Sequence, residues 1–261
     1  MTSLRIFWVG GNIAYRALFN WVRADIYIPT MLGSPLFQIL FFVYLGRFSG
    51  VRDDSFFLVG NAIQVCAMSS IYGATMAIAN ERHFGTLPSL LATPANRLAL
   101  FLGRAVPFIA NGLVISVWGF AIGVVLLDFR PAAGGIPALA VTVVVTVVSC
   151  TGFGLLLGSI GLRARDVFFS ANLAYYVMLV FCGINVPLTS LPAWMEFVGR
   201  LMPLTHGVIA ARRIAAGASL SSVSGLVARE VVIGAAYFVA AYLLFRFFEE
   251  QGRRSATLET H

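Results

Sequence analysis

Residues 131–162 read PAAGGIPALAVTVVVTVVSCTGFGLLLGSIGL, a stretch without aspartate, glutamate, lysine or arginine. A helix needs about 20 apolar residues to cross roughly 30 Å of hydrocarbon, so this stretch is long enough to span a bilayer. Residues 26–46, 55–80, 105–127 and 167–195 also lack those four residue types. The pattern predicts an all-α membrane protein with repeated transmembrane helices.

A sixth transmembrane helix is predicted near the C-terminus. Residues 231–245 contain no charged residue, and Arg229, Glu230 and Arg246 flank them. We expect these three side chains to extend to the lipid headgroups. The whole chain is 59% hydrophobic and 11% charged, with a mean hydropathy of +0.87, which excludes an ordinary soluble domain.

The predicted transmembrane domain covers residues 26–248, between an N-terminal segment, residues 1–25, and a cytoplasmic tail, residues 249–261. Arginines on one face of the N-terminal segment, opposite aromatic and aliphatic residues, indicate an amphipathic helix in the headgroup region. A helix packed on neighbouring spans is the alternative. The six predicted spans cover residues 26–47, 55–80, 98–127, 136–160, 167–187 and 229–248.

Residues 188–228 form an outer segment whose apolar pieces are too short to cross the membrane. Its prolines and Trp194 predict short helices that re-enter or lie on the outer interface, followed by a turn at residues 217–225. With six spans, both termini lie on the side that carries more arginines. The positive-inside rule therefore predicts cytoplasmic termini.

The sequence contains no lysine. Because a P-loop needs a lysine to reach the nucleotide phosphates, the chain cannot carry a standard nucleotide-binding cassette. Acids or bases in the middle of a span would indicate an ion-coupled carrier, and the predicted spans have none. The three histidines are widely separated, and we expect no catalytic residue, metal site or cofactor in this chain.

Two polar and aromatic stripes are candidates for a translocation path. One lies on the second span and the other on the fifth, with spacings that place each on one helix face. The alternative is that these residues serve only helix packing and hydrogen bonding. The path candidates are Gln64, Met68, Tyr72, Phe168, Asn172, Tyr175 and Tyr176.

The loop at residues 81–97 joins the second and third spans. Thr86 can cap a short helix that tolerates Pro88 in its first turn. Leu87, Leu90 and Leu91 then share one face, which is suited to a groove on another protein. A solvated connector is the alternative, although exposed leucines disfavour it.

At these residues the chain resembles permease subunits of type-2 ATP-binding-cassette (ABC) exporters, which include nodulation-factor, drug-resistance and polysaccharide export permeases. Pro88 stands where that family usually has an acidic residue. The resemblance rests on Glu81-Arg82, Gly85-Thr86-Leu87, Leu90-Leu91, Thr93-Pro94, Arg97, Leu102-Gly103-Arg104 and Pro203-Leu204-Thr205-His206 with Arg212.

The resemblance implies a multi-pass subunit of a bacterial plasma membrane exporter for a drug, lipid or glycan-type amphipathic cargo. Two cytoplasmic ABC ATPase subunits, which would bind ATP and Mg²⁺, and a second copy or a homologous permease are the implied partners. Membrane lipids surround the assembly, and no nucleic-acid partner is expected. The residues implied in ATPase coupling are Glu81, Arg82, Gly85, Thr86, Leu87, Leu90, Leu91, Arg97, Arg163 and Arg165.

A second hypothesis comes from a different functional class. A membrane scaffold or sensor could use the same loop to dock a partner that is not an ATPase. A neighbouring reading frame that encodes a Walker lysine would favour the exporter.

Overall fold

The computed structural model describes residues 8–12, 28–50, 53–83, 85, 97–161 and 167–255. Regular structure within these ranges is helical throughout, which confirms the predicted all-α class. A π-helical turn at Ile28–Gly33 precedes the first helix, and 3₁₀ turns at Ala133–Gly135 and Leu188–Ser190 precede the fourth and sixth. The α-helices are α1 Ser34–Phe48, α2 Asp54–His83, α3 Arg97–Leu126, α4 Ile136–Gly161, α5 Val167–Phe181, α6 Ala193–Leu201, α7 Thr205–Ala215 and α8 Leu220–Ser255.

Five helical segments of the described chain are long and apolar enough to cross a membrane, and they match five of the six predicted spans. The helix α5 has 15 residues and is about 22 Å long at 1.5 Å per residue, shorter than the hydrocarbon core. A crossing by residues 167–187 therefore stays a prediction. The five segments are Met31–Phe48, Asp54–Ile78, Leu102–Leu126, Ile136–Gly161 and Leu220–Phe248.

The helix α2 is at the centre of the bundle. It packs against α1, α3, α4, α5 and α7, and most of its residues between 57 and 78 are buried. Its contact with α4 requires Gly154, because a β-carbon there would lie 2.6 Å from the carbonyl oxygen of Ile71. Close approach also lets the Thr75 hydroxyl donate a hydrogen bond to the Gly154 carbonyl at 2.9 Å.

The helices α2 and α4 run in the same direction. Ile71 lies beside Gly154, and Ile78, one to two turns further along α2, lies beside Gly158. The helix α8 also runs in this direction along α4, since successive residues of the two helices meet in the same order. The C-terminal ends of these three helices therefore share one end of the bundle.

We call this the loop end, because the connection at residues 84–96 begins and finishes there. The helical residues 8–12 also lie at this end: a β-carbon on Gly11 would be 3.1 Å from the Gly103 carbonyl oxygen near the start of α3. The rest of the predicted N-terminal amphipathic helix lies outside the described residues. We call the opposite end, where α6 and α7 lie, the Arg212 end.

Arg212 of α7 connects three parts of the chain at that end. Its guanidinium donates hydrogen bonds of 2.6–3.1 Å to the backbone carbonyls of Phe56, Gly183 and Ile184. It also lies over the Phe56 ring, 3.5 Å from the centroid. Gly60 leaves the necessary space, because a β-carbon there would be 2.5 Å from Nη2 of Arg212. A planar fork of five donors suits several carbonyls at once, among them those of Gly183 and Ile184, which follow the end of α5.

Glu230 does not extend to the headgroups, so that prediction was wrong. The residue is fully buried, with an exposed fraction of 0%. Its carboxylate accepts hydrogen bonds from the backbone N–H groups of Leu204 at 2.7 Å and Gly207 at 3.1 Å. Helices leave their first N–H groups unpaired, and here an acidic side chain of α8 caps the first turn of α7. Its charge is thus compensated inside the protein.

The predicted turn at residues 217–225 was also too long. Only residues 216–219 separate α7 from α8, and Gly217 adopts a φ of +98° there. Leu220 already begins α8, which has 36 residues. The Gly, Ala and Ser content of this segment suggested a turn, but packing extends the helix through it.

We predict that Glu230→Ala lowers the free energy of unfolding by about 1–3 kcal/mol, because two buried N–H groups lose their acceptor. The change would appear as a lower midpoint of thermal unfolding in detergent. The matched control is Glu196→Ala, which removes an exposed i,i+4 pair with Arg200 and should cost about 0.5 kcal/mol or less. Equal midpoints for the two variants would contradict the capping role.

Candidate functional site

The two stripes predicted from the sequence meet where α2 packs against α5. The Tyr72 hydroxyl donates a hydrogen bond to Oδ1 of Asn172 at 2.8 Å. The Asn172 amide in turn donates to the Phe168 carbonyl at 2.9 Å, one turn back along α5. We call this contact line the α2–α5 seam.

The seven path candidates differ in their exposure. Gln64 and Met68 are buried, with exposed fractions of 0% and 5%. Tyr72 and Tyr175 are half-buried. Phe168, Asn172 and Tyr176 are exposed on the surface of α5. The seam therefore runs from the interior of the bundle to its outer face.

A network of polar side chains continues the seam toward the Arg212 end, and the sequence reading missed most of it. The Tyr175 hydroxyl donates to Oε1 of Gln38 at 3.1 Å. Nε2 of Gln38 donates to Oδ1 of Asn61 at 3.0 Å and to Oε1 of Gln64 at 3.1 Å. Nδ2 of Asn61 donates to Oδ1 of Asn185 at 2.8 Å. We call Gln38, Asn61, Gln64, Tyr175 and Asn185 the amide cluster.

The cluster joins α1, α2, α5 and the segment that follows α5. Interhelical hydrogen bonds of this kind stabilise membrane helix contacts, since lipid offers no alternative partner. Of its members, only Gln64 and Tyr175 were sequence candidates. A search for uncharged amides inside the charge-free runs would have found Gln38, Asn61 and Asn185. Because these three residues are uncharged, the distribution of acids and bases along the sequence does not indicate them.

The structure describes part of the predicted coupling site. Glu81 and Arg82 lie in the last turn of α2, Gly85 follows with a φ of +66°, and Arg97 is the first residue of α3. A glycine with positive φ just after the last helical residues is typical of a helix C-terminus. Six further coupling candidates lie outside the described residues: Thr86, Leu87, Leu90, Leu91, Arg163 and Arg165.

The connection at residues 84–96 joins α2 to α3, two helices that pack against each other. Each helix is continuous up to this connection, since α2 ends at His83 and α3 begins at Arg97.

Comparison with known proteins agrees with this architecture. The probable multidrug ABC transporter permease YbhR of Escherichia coli is 27% identical over 203 residues, which are 74% of this chain and 53% of that protein. The daunorubicin resistance permease DrrB1 of Streptomyces coeruleorubidus is 23% identical over 211 residues, 78% of this chain and 73% of that protein. The chain thus spans about half the length of YbhR and about three quarters of DrrB1.

A third relative is the probable doxorubicin resistance permease DrrC of Mycobacterium tuberculosis. It is 27% identical over 218 residues, 79% of this chain and 76% of that protein. The relatives and the apolar helices indicate a multi-pass membrane protein. Residues 12–215 match the family described as ABC-2 type transporter, a region that includes α1 to α7. The chain therefore belongs to the ABC-2 type transporter family.

Proposed function

We propose that this chain is the transmembrane subunit of an ATP-driven exporter. It forms the translocation path for a drug, lipid or glycan-type amphipathic cargo that leaves the cytoplasm. The family match over residues 12–215 carries this proposal. The polar and aromatic α2–α5 seam supports it, because a packed bundle in lipid needs few polar groups unless they serve a path.

Energy for export comes from two separate ABC ATPase subunits in this proposal. The chain has no lysine for a P-loop, so ATP and Mg²⁺ bind to the partner chains. The loop at residues 81–97 provides the main contact, with a smaller one from the connection that contains Arg163 and Arg165. Because the loop end faces the ATPases, both termini are cytoplasmic.

The position of α2 explains how such a contact acts on the path. Residues 79–83, next to the loop, are the last residues of α2, which packs against α1, α3, α4, α5 and α7. A push at the loop end therefore reaches the α2–α5 seam through a single helix. Coupling then consists of a shift between two arrangements of packed helices, without chemistry in this chain.

A second permease, either a copy or a homologue, completes the path. The outer faces of α1 and α5 carry exposed aromatic residues, among them Phe37, Phe41 and Tyr176 with exposed fractions of 72%, 61% and 62%. The exposed Asn172 lies on the same face of α5 as Tyr176. Covering this face with a second permease would enclose the polar seam between two subunits.

The names of the relatives favour a drug among the cargo classes. YbhR is named a probable multidrug permease, and DrrB1 and DrrC are named for daunorubicin and doxorubicin resistance. Aromatic side chains along the seam offer broad contact area to planar or amphipathic molecules.

We predict that Leu90→Asp and Glu81→Ala leave the protein folded but weaken ATPase capture. Loss of an apolar anchor from an interface costs about 2 kcal/mol or more, so co-purification should fall at least tenfold for Leu90→Asp. Glu250→Ala is the control, since that carboxylate forms only a 3.8 Å exposed pair with Arg246. Normal capture and export in both loop variants would instead favour the scaffold or sensor.

We also predict that the double variant Asn172→Ala and Tyr175→Ala changes cargo selectivity while the complex still assembles. Loss of one hydrogen bond and one aromatic contact should change the relative transport of two cargoes by about tenfold. Transport of a cargo panel in reconstituted vesicles measures the change. The control is Tyr242→Ala, which removes an exposed aromatic ring from α8. An unchanged selectivity would indicate that the residues of the seam serve only helix packing and hydrogen bonding.

A further inference from the structure

The amide cluster has a fixed hydrogen-bond direction. Nδ2 of Asn61 lies 2.9 Å from the backbone carbonyl oxygen of Phe57, which can only accept. The Asn61 amide must therefore point its NH₂ group at Phe57 and its oxygen at Gln38. One backbone carbonyl thus determines the orientation of the neighbouring amides.

The rest of the cluster follows from Asn61. Oδ1 of Asn61 accepts from Nε2 of Gln38 at 3.0 Å, and the same nitrogen donates to Oε1 of Gln64 at 3.1 Å. Both N–H groups of Gln38 are then used, and its oxygen accepts from Tyr175. The second N–H of Asn61 donates to Oδ1 of Asn185. Rotating either Gln64 or Asn185 would place one NH₂ group against another.

The polar groups of the amide cluster that lack a hydrogen-bond partner are donors. Nε2 of Gln64 and Nδ2 of Asn185 are buried atoms without a hydrogen-bond partner among the described residues. The Gln64 side chain has an exposed fraction of 0% and lies on α2, the central helix. Buried donors without an acceptor are destabilising, and native proteins retain them where they serve another purpose.

The chemistry of the cluster selects a ligand. It consists of amides and one phenol, and the nearby Arg212 directs its N–H groups at the carbonyls of Phe56, Gly183 and Ile184. An anion would lose its hydration there without a free cation to replace it. An ammonium group can only donate, and would meet donors. An uncharged oxygen accepts from an amide N–H group without either cost.

We infer that the NH₂ groups of Gln64 and Asn185 form a recognition site for an uncharged oxygen acceptor, such as a carbonyl, ether or hydroxyl oxygen of the cargo. The inference rests on the proposed function and narrows its cargo to neutral, oxygen-rich amphiphiles. The cargo reaches the cluster from the side of Tyr175 and Gln38, which are only half-buried.

The binding test uses the full chain in lipid nanodiscs and three probes with the same octyl tail. Their head groups are a tetraethylene glycol ether, a primary ammonium and a phosphate. The chain has three glutamines, Gln38, Gln64 and Gln251, so ¹⁵N labelling of glutamine side chains gives three resolvable NH₂ groups. We expect the ether to shift the Gln64 signal and to leave the signal of Gln251 in place. A shift produced by the ammonium or the phosphate, and not by the ether, would overturn the inference.

The variant Gln64→Met separates recognition from packing. We expect about tenfold weaker binding of the ether probe. The midpoint of thermal unfolding should change little, because the variant removes the unpaired NH₂ group but also the oxygen that accepts from Gln38. The control Ser70→Ala removes a buried hydroxyl on the same helix. Like the Gln64 NH₂ group, this hydroxyl lacks a partner among the described residues. It should bind the ether like the unmodified chain.

A lower unfolding midpoint for Gln64→Met with unchanged ether binding would assign the cluster to packing alone and overturn the inference. Equal loss of binding in the Ser70→Ala control would do the same. These measurements need neither ATPase nor transport. A failure here therefore differs from a failure of the proposed function, which ATPase capture and export test.

Discussion

A polar group buried in a bilayer has no water to bind, so the protein must supply its partner. This constraint explains the contacts that define the bundle. Glu230 is buried because the first N–H groups of α7 need an acceptor. Arg212 is half-buried and donates to the carbonyls of Gly183 and Ile184, which follow the end of α5. Each charged group is thus matched to backbone that helices leave unpaired. The two contacts together hold α2, α7 and α8 at the Arg212 end.

The same constraint makes the amide cluster distinct. Its amide oxygens all accept from neighbouring N–H groups or from the Tyr175 hydroxyl, whereas the NH₂ groups of Gln64 and Asn185 have no acceptor within the described part of the chain. Glu230 and Arg212 thus have hydrogen-bond partners on the backbone, whereas these two amide donors have none among the described residues. In a bundle where Glu230 and Arg212 have partners, the unpaired NH₂ groups of Gln64 and Asn185 indicate a function other than packing.

Much of the fold follows from the sequence because length and charge alone limit a membrane helix. The charge-free runs predicted the five long apolar helices. Length and charge could not predict the position of the Glu230 side chain. Its position at the edge of an apolar run indicated the headgroups, while its real partners belong to α7, 23 and 26 residues away. Stripes on α2 and α5 were visible from their spacing, but Gln38 and Asn185 join the cluster only through tertiary contacts.

The contact between Glu230 and the start of α7 also has a consequence for the order of synthesis. The carboxylate that caps α7 belongs to the last helix, so it emerges from the ribosome after α7 has been made. Until α8 inserts, the N–H groups of Leu204 and Gly207 have no acceptor from Glu230, and Leu204 must hold its φ of +86° without that hydrogen bond. A chain that lacks α8 would therefore expose an incomplete helix end, which membrane quality control could recognise. The start of α7 is therefore completed only when α8 is in place.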